Sequence, residues 1–148
     1  MEIKAVDHNV NIIALEKNGR RYALCCAWVT QVAEDKLIAA IGPQSATGKV
    51  IEKGDTLGFS NLTTEQKHIA FKIGDLNTHS DTADKLTGIP FHTDGGAILI
   101  DGARAEAKCT VLDVLHLPKI EAENIVYRQI EDGKINGGTS LHISDLGM

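Results

Sequence analysis

The segment at residues 22–32 constrains the fold most strongly, because it carries the chain's single Trp and two of its three Cys. Small and β-branched side chains alternate there with bulky ones, without Gly or Pro, which predicts an extended strand. Neither face of such a strand is cleanly polar, so we expect it to be covered on both sides, in the middle of a closed or packed sheet. Its two faces would carry Leu24, Cys26, Trp28, Thr30 and Val32 on one side and Cys25, Ala27, Val29 and Gln31 on the other.

Size and charge narrow the classes of function. At 148 residues the chain predicts a single domain that is large enough to bury a core. Fifteen Lys and Arg against twenty Asp and Glu give a net charge of −5, which disfavours generic binding to nucleic acid or to an anionic membrane. Aromatic residues make up 4% of the chain, too few for stacking along several bases. We therefore expect a small ligand.

The N-terminal sequence and the cysteines favour a cytoplasmic protein. Residues 1–4 lack a basic segment followed by an apolar one, and no apolar run approaches the ~20 residues that span a bilayer. The three Cys are an odd number and two of them are adjacent, so reduced thiols are a simpler interpretation than a disulfide framework.

Short apolar segments separated by turn residues predict a mainly β protein, a small antiparallel barrel with two inserted helices. Besides 22–32, the expected strands are 10–16, 37–41, 56–62, 97–101, 103–111, 125–130 and 139–143. Turns are expected at Asn18-Gly19, at residues 34–36 and at Asp132-Gly133. The alternation of 103–111 indicates a half-exposed strand, and its slip at 112–115 indicates a bulge or bend.

Capping residues mark two helix starts. Ser45 or Thr47 can cap a short helix at about 50–53 that Gly54 would end. Residues 63–66, Thr-Thr-Glu-Gln, have the pattern of a capping box and predict a helix to about Ile73, with Gly74 as its stop. Residues 75–96 are polar and broken by Gly and Pro, which indicates a long functional or mobile loop with at most one helical turn at 83–86.

The sequence GPQSATGKV at residues 42–50 looks superficially like a nucleotide P-loop but fails that pattern. Five residues separate its glycines where four are required, and Val50 replaces a Mg²⁺-binding Ser or Thr. Two alternatives remain for Ser45 and Thr47. They cap the helix, or they hold a phosphate monoester together with the backbone N–H groups of the helix start.

Other catalytic groupings lack support. The six His show no spacing typical of a metal site. Cys25 and Cys26 would lie on opposite faces of a strand, which favours small buried side chains over a shared ion or thiol catalysis. Trp28 is by default a core residue. The adjacent residues 79–81, His-Ser-Asp, cannot form a Ser–His–Asp triad, and no GxSxG motif is present.

Five segments, in the right order over residues 10–130, carry a resemblance to a known family. They are Leu24-Cys25-Cys26-Ala27-Trp28-Val29-Thr30-Gln31-Val32, similar to the family's (M/L)-T-(A/C)-(S/G)-W-V-T-x-(V/A) strand; the apolar run 37–41; Ser45-Ala46-Thr47, like its S-x-T; Thr63-Thr64-Glu65-Gln66 with Ala70 and Gly74; and His79-Ser80-Asp81 with Asp84-Lys85, like its H-S-G-x-x-x-D-K segment. On these residues the chain resembles the flavin reductase-like family, which has the FMN-binding split-barrel fold.

The resemblance implies a homodimer that binds FMN against its first long strands. By this analogy Cys25, Cys26, Ala27, Trp28, Val29 and Thr30 would line the flavin ring and ribityl chain, Gln44, Ser45 and Thr47 would hold the phosphate, and His79 and Lys85 would contribute from the loop. Cys25 replaces the hydroxyl residue usual in the family, which weakens one hydrogen bond to the cofactor. The family's acidic-Gly-x-His signature is not clear at residues 121–124.

The function implied is an FMN-dependent oxidoreductase that accepts hydride from NADH or NADPH and reduces free flavin, a ferric species or a redox protein. The flavin would supply the chemistry, so we expect no catalytic side chain and no metal ligand. One alternative is a non-enzymatic FMN electron carrier of the flavoredoxin type that exchanges electrons with a partner protein. Another is a barrel without a flavin site that serves as an interaction module.

Overall fold

The computed structural model describes residues 5–74, 85–120 and 122–147. Within these ranges the strands are β1 Asn11–Lys17, β2 Arg20–Cys26, β3 Val29–Ala33, β4 Lys36–Ile41, β5 Thr56–Asn61, β6 Phe91–Asp94, β7 Ala97–Ile100, β8 Ala105–His116 and β9 Asn124–Ile135. The α-helices are α1 Ala46–Val50 and α2 Lys67–Ile73, and short 3-10 helices cover Thr64–Gln66 and Ile143–Leu146.

All strand pairings among the described residues are antiparallel. The order is β3-β4-β9-β8-β5-β1-β7-β6, and β2 pairs with β1 along its whole length. Because β3 follows β2 after two residues, the path from β1 through β2 and β3, β4, β9, β8 and β5 returns to β1 and encloses a barrel. The prediction of a mainly β, antiparallel barrel with short helices is confirmed.

The first hairpins formed as their sequences predict. Asn18 and Gly19 have φ of 54° and 75°, the left-handed pair that a tight two-residue turn needs, and they place Lys17 opposite Arg20. The next hairpin, β3 to β4, turns at residues 34 and 35. These short connections fix the register of four consecutive strands.

The prediction of one continuous strand at 22–32 is wrong. The chain bends at Ala27 and Trp28, where the Val29 N–H donates to the Ala27 carbonyl at 2.9 Å, so β2 pairs with β1 while β3 pairs with β4. The bend also shifts the alternation, because Leu24, Cys26 and Val29 now contact the same core cluster. β3 is an edge strand and is mostly exposed, not the covered centre of a sheet.

Two apolar clusters form the core. One fills the barrel and includes Ile13, Leu15, Leu57, Cys109 and Val126. The other lies on the outer face, where α2 and the C-terminal segment cover the sheet, and it includes Ile12, Ile69, Ile73, Ile98 and Leu141. Successive residues of β1 therefore serve different clusters, as the two-residue period of a strand requires.

The helix starts follow their capping sequences. Ser45 caps α1, which ends at Val50 with Ile51 as its C-cap, so the predicted extension to Gly54 is wrong. Thr63 accepts from the Glu65 N–H at 3.3 Å, and Gln66 Oε1 accepts from the Thr63 N–H at 3.0 Å, which confirms the capping box. Gly74 ends α2, as predicted.

The second half of the chain departs from prediction in three places. Residues 91–94, assigned to the long loop, form β6, which pairs with β7. Asp132 and Gly133 do not turn; they lie within β9 opposite Lys108 and Ala107, because an irregularity beside Cys109 absorbs one residue. The segment 139–143 makes isolated bridges from Ser140 and His142 and then a 3-10 helix, not a strand.

The bulge predicted at 112–115 is present, since the register of β8 and β9 shifts between Val111 and Asp113. The expected outward face of this strand is only partly exposed, and Glu106 on it is buried. Among the described residues, no helix has the length and apolar character needed to cross a bilayer.

Candidate functional site

The bend between β2 and β3 opens a groove on the barrel wall. The Trp28 carbonyl accepts from the Ala40 N–H at 2.9 Å, which ties the bend to β4. The groove has a volume of about 250 Å³ and is lined by Leu24, Cys25, Cys26, Ala27, Trp28, Ala40, Ile41, Gly42, Gln44 and Ala122. We refer to this set as the groove.

Small side chains make the groove shallow and largely apolar. Cys26 and Ala40 form part of its wall, and the Cys26 thiol lies 3.7 Å from the Ala40 carbonyl oxygen. Trp28 is 55% exposed, so it borders the groove and is not the core residue expected by default. This surface suits one face of a flat ring, because little side-chain volume stands above the backbone.

Burial keeps the thiols of the groove protonated. Burial raises the pKa of Cys25 to about 12 and the pKa of Cys26 to about 11. Both groups are therefore neutral thiols near neutral pH, whereas nucleophiles and metal ligands need the thiolate. This agrees with the interpretation of both cysteines as small packing residues.

The loop at residues 42–48 lies at one end of the groove and is tightly wound. The Ser45 hydroxyl donates to the Gly42 carbonyl and accepts from the Gly48 N–H, both at 2.9 Å. A Cβ on Gly48 would lie 2.1 Å from the Gly42 carbonyl oxygen, so only glycine fits there. Gln44 reaches the groove, whereas the Thr47 residue is 2% exposed.

The structure brings together part of the predicted flavin site. Cys25, Cys26, Ala27, Trp28 and Gln44 line the groove. Ser45 caps α1, which is one of the two alternatives that the sequence left open. The contact between Thr47 and a phosphate stays a prediction.

The remaining predicted residues are not part of the groove lining. Val29 packs into the barrel core. Thr30 faces a depression of about 140 Å³ beside Trp28 and Ile38. Lys85 lies close enough to Cys25 to lower the pKa of that thiol slightly, and His79 lies outside the described residues.

A larger cavity, not predicted from the sequence, opens at the mouth of the barrel. Its volume is about 410 Å³, and its lining is Asn9, Asn11, Val29, Gln31, Leu37, Phe59, Asn61, Arg104, Ala105, Glu106, Ala107, Ile130, Gly133, Lys134 and Ile135. Asn61 Nδ2 donates to Asn11 Oδ1 at 2.9 Å, and Arg104 Nε donates to Asn61 Oδ1 at 2.5 Å. We call this the second cavity. No sequence motif marks it, because its residues come from well-separated segments.

Beside the second cavity, His92 lies between two carboxylates. Its Nδ1 is 2.5 Å from Asp101 Oδ1 and its Nε2 is 2.9 Å from Glu106 Oε2. The hydrogen bond to Asp101 raises the pKa of His92 most, Glu106 adds to it, and burial opposes both. Within the described ranges, no group of three or more His, Cys, Asp and Glu is arranged to hold a metal ion.

Several solved structures with the same architecture carry a flavin-related function in their names. The NADH:FAD oxidoreductase SgcE6 from Streptomyces globisporus C-1027 has a TM-score of 0.76 and 16% identity, over 88% of this chain and 76% of that one. The styrene monooxygenase flavin reductase from Pseudomonas putida S12 has a TM-score of 0.73 and 13% identity, over 91% and 84%. An FMN-binding protein from Thermus thermophilus has a TM-score of 0.76 and 16% identity, over 89% and 72%.

At these identities the structures demonstrate a shared fold. Among curated proteins, none matches this sequence significantly. The family profile described as flavin reductase like domain matches residues 3–143, nearly the whole chain. The chain therefore belongs to the flavin reductase-like family of flavoprotein oxidoreductases, as its sequence segments predicted.

Proposed function

We propose that this protein is a homodimeric, cytoplasmic FMN-binding oxidoreductase whose single split-barrel domain occupies residues 1–148. The bound flavin would accept hydride from NADH or NADPH and pass electrons to free flavin, a ferric species or a redox protein. The observation that carries the proposal is the groove, because it joins the bend at Ala27 in one continuous surface to Gln44, which directly precedes the helix cap Ser45.

The groove fits one face of an isoalloxazine ring. Cys25, Cys26, Ala27 and Ala40 contribute small side chains, and Trp28 supplies an exposed aromatic edge. The volume of about 250 Å³ lies below the range of about 300–1,000 Å³ typical of pockets that enclose a ligand. A ring held on this surface would therefore keep its other face open to a nicotinamide or an electron acceptor.

The loop at residues 42–48 would receive the phosphate end of FMN. The Ser45 hydroxyl already satisfies the Gly48 N–H, so the backbone N–H groups of Ala46 and Thr47 are the remaining donors of the first helical turn. Gln44 can add a side-chain amide from the groove. We assign Ser45 to holding the loop in shape and Thr47 to a phosphate contact.

A second copy of the chain would cover the edge of the barrel beside the groove. β3 is an edge strand, and Trp28 and Val32 are 55% and 51% exposed. An edge strand has unpaired backbone N–H and C=O groups, and its exposed apolar side chains are unfavourable in water, so it readily pairs with another chain. A dimer on this edge would also deepen the groove.

The relatives named above support a flavin and a nicotinamide substrate, since one is called an NADH:FAD oxidoreductase and another an FMN-binding protein. Purified protein titrated with FMN tests the proposal through the flavin absorbance spectrum and fluorescence quenching. Anaerobic addition of NADH or NADPH should then bleach the bound flavin. Bleaching that requires a reduced donor protein would instead favour the electron carrier, and a colourless protein that retains no FMN would contradict both.

A further inference from the structure

Arg128 is the largest side chain buried completely in the barrel. It lies on β9, opposite Leu37 of β4 and Val111 of β8, and it is 0% exposed. Its neighbours on the same face of β9, Asn124 and Val126, are also buried. Arg128 therefore occupies a position that the alternation of the strand directs into the core.

The guanidinium group of Arg128 has no hydrogen-bond partner in the described part of the chain. Its Nε, Nη1 and Nη2 atoms are all buried and unsatisfied. The ring of Phe59, 5.7 Å away, offers a weak cation–π contact. A buried charge that lacks a partner strongly destabilises a fold, so a structural role alone does not account for this residue.

Burial lowers the pKa of Arg128, and the thiols of Cys109 and Cys26 act on it electrostatically in the opposite direction. Burial raises the pKa of each thiol to about 11, and the charge of Arg128 opposes that rise in both. Both thiols are thus protonated near neutral pH and leave the positive charge uncompensated. Cys26 is also part of the wall of the groove, so the charge of Arg128 acts on a residue of the surface proposed for the flavin.

We propose that Arg128 favours negative charge in the groove and so makes the site bind reduced FMN more tightly than oxidised FMN. This inference rests on the proposed function. Hydride transfer from a reduced nicotinamide brings two electrons and one proton to the neutral flavin at N5, and the reduced ring then carries one negative charge at N1. Arg128 would act across the wall through the low-dielectric interior, without contacting the cofactor, and is therefore a positioning residue.

The arrangement also explains why a destabilising residue is tolerated at the barrel centre. Replacing a buried, unpaired charge with an apolar side chain of similar volume is commonly neutral or stabilising. Arg128→Met should therefore leave the ligand-free protein at least as stable as wild type. A residue kept only for packing would show the opposite behaviour, since its removal would lower stability.

The experiment compares wild type, Arg128→Met and the charge-retaining Arg128→Lys. Dissociation constants for FMN are measured aerobically for the oxidised form and anaerobically, after dithionite reduction, for the reduced form, and melting temperatures are measured without ligand. In Arg128→Met the ratio of the reduced to the oxidised constant should rise about tenfold, the effect expected of one unit charge several ångström away. Arg128→Lys should keep that ratio within about twofold of wild type.

Each other outcome has a defined meaning. An unchanged ratio in Arg128→Met, while wild type binds FMN and is bleached by NADH, overturns the inference and leaves the proposed function standing. An equal rise in Arg128→Lys overturns it as well, because charge would then not be the cause. A melting temperature that falls in Arg128→Met would identify a structural residue. Wild type that binds FMN in neither state would overturn the proposed function and this inference together.

Discussion

The groove and the second cavity are built in opposite ways. The groove takes half of its lining from five consecutive residues, 24–28, and presents small side chains and backbone. The second cavity draws on separate segments and presents amide and charged groups, among them Asn11, Asn61, Arg104 and Glu106. The first surface suits a flat ligand, whereas the second adds amide and charged groups to a largely apolar lining and can orient a ligand by hydrogen bonds. A sequence motif therefore marks the groove, whose residues are largely consecutive, and not the second cavity, whose residues are dispersed.

The largest expected effect concerns the glycines that shape each region. A Cβ on Gly48, in the loop beside the groove, would lie 2.1 Å from the Gly42 carbonyl oxygen, whereas a Cβ on Gly133, in the second cavity, would lie 3.0 Å from the Glu106 carbonyl oxygen. Gly48→Ala should lower the free energy of unfolding by about 3 kcal/mol, and Gly133→Ala by about 1 kcal/mol. Denaturant titration measures both. Equal losses would contradict the claim that the groove loop is the more tightly constrained region.

The next prediction tests which of the two regions binds FMN. Ala27→Phe adds a ring in the groove, and Gln31→Phe adds the same ring at the exposed rim of the second cavity. Ala27→Phe should weaken FMN binding roughly a hundredfold, about 2.7 kcal/mol, because the ring occupies the space of the cofactor. Gln31→Phe should change the affinity by less than about twofold. The reverse pattern in a fluorescence titration would move the flavin to the second cavity.

The sequence predicted the β-rich barrel well because its strands are short, apolar and separated by strong turn signals. The Asn18-Gly19 turn and the Thr63 capping box depend on local chemistry, which a sequence carries completely. The bend at Ala27 and Trp28 could not be predicted in the same way. Nothing in those two residues forbids an extended strand, and the break arises because β2 and β3 pair with different partners. Tertiary pairing overrode local propensity.

A smaller effect tests the phosphate end of the groove. Thr47→Val removes a hydroxyl while keeping the shape of the side chain, and it should weaken FMN binding by about 1–3 kcal/mol through loss of a hydrogen bond to a charged group. The matched control is Ser45→Ala, which removes the observed helix cap. That variant should lower the free energy of unfolding by about 1 kcal/mol. Unchanged FMN affinity in Thr47→Val would remove Thr47 from the site.

Arg128, in contrast, is marked by a local pattern in the sequence. The alternation of the strand predicted at 125–130 is enough to assign its faces. Asn124, Val126 and Arg128 share a face, so a charged residue was due at a core position. The Asn11, Asn61 and Arg104 network is different, because its members, 50 and 43 positions apart, meet only through the pairing of β1 with β5 and the turn before β8. No local pattern contains that information.

The smallest effect concerns the second cavity and its pH response. Because Asp101 and Glu106 raise the pKa of His92 in the folded protein above the ordinary value of 6.5, folding favours its protonated form. The resulting stabilisation is fully present below pH 6.5 and is lost as the pH rises through the raised folded pKa. His92→Gln should therefore destabilise the protein most at low pH, with a difference from wild type that shrinks as the pH is raised from below 6.5 into the alkaline range. Melting temperatures across that range, with His68→Gln on the exposed face of α2 as the control, measure it. A difference that grew with pH would mean that His92 is neutral in the fold, and Glu106 would then depend on Asn136 and Lys134 for its compensation at the edge of the second cavity.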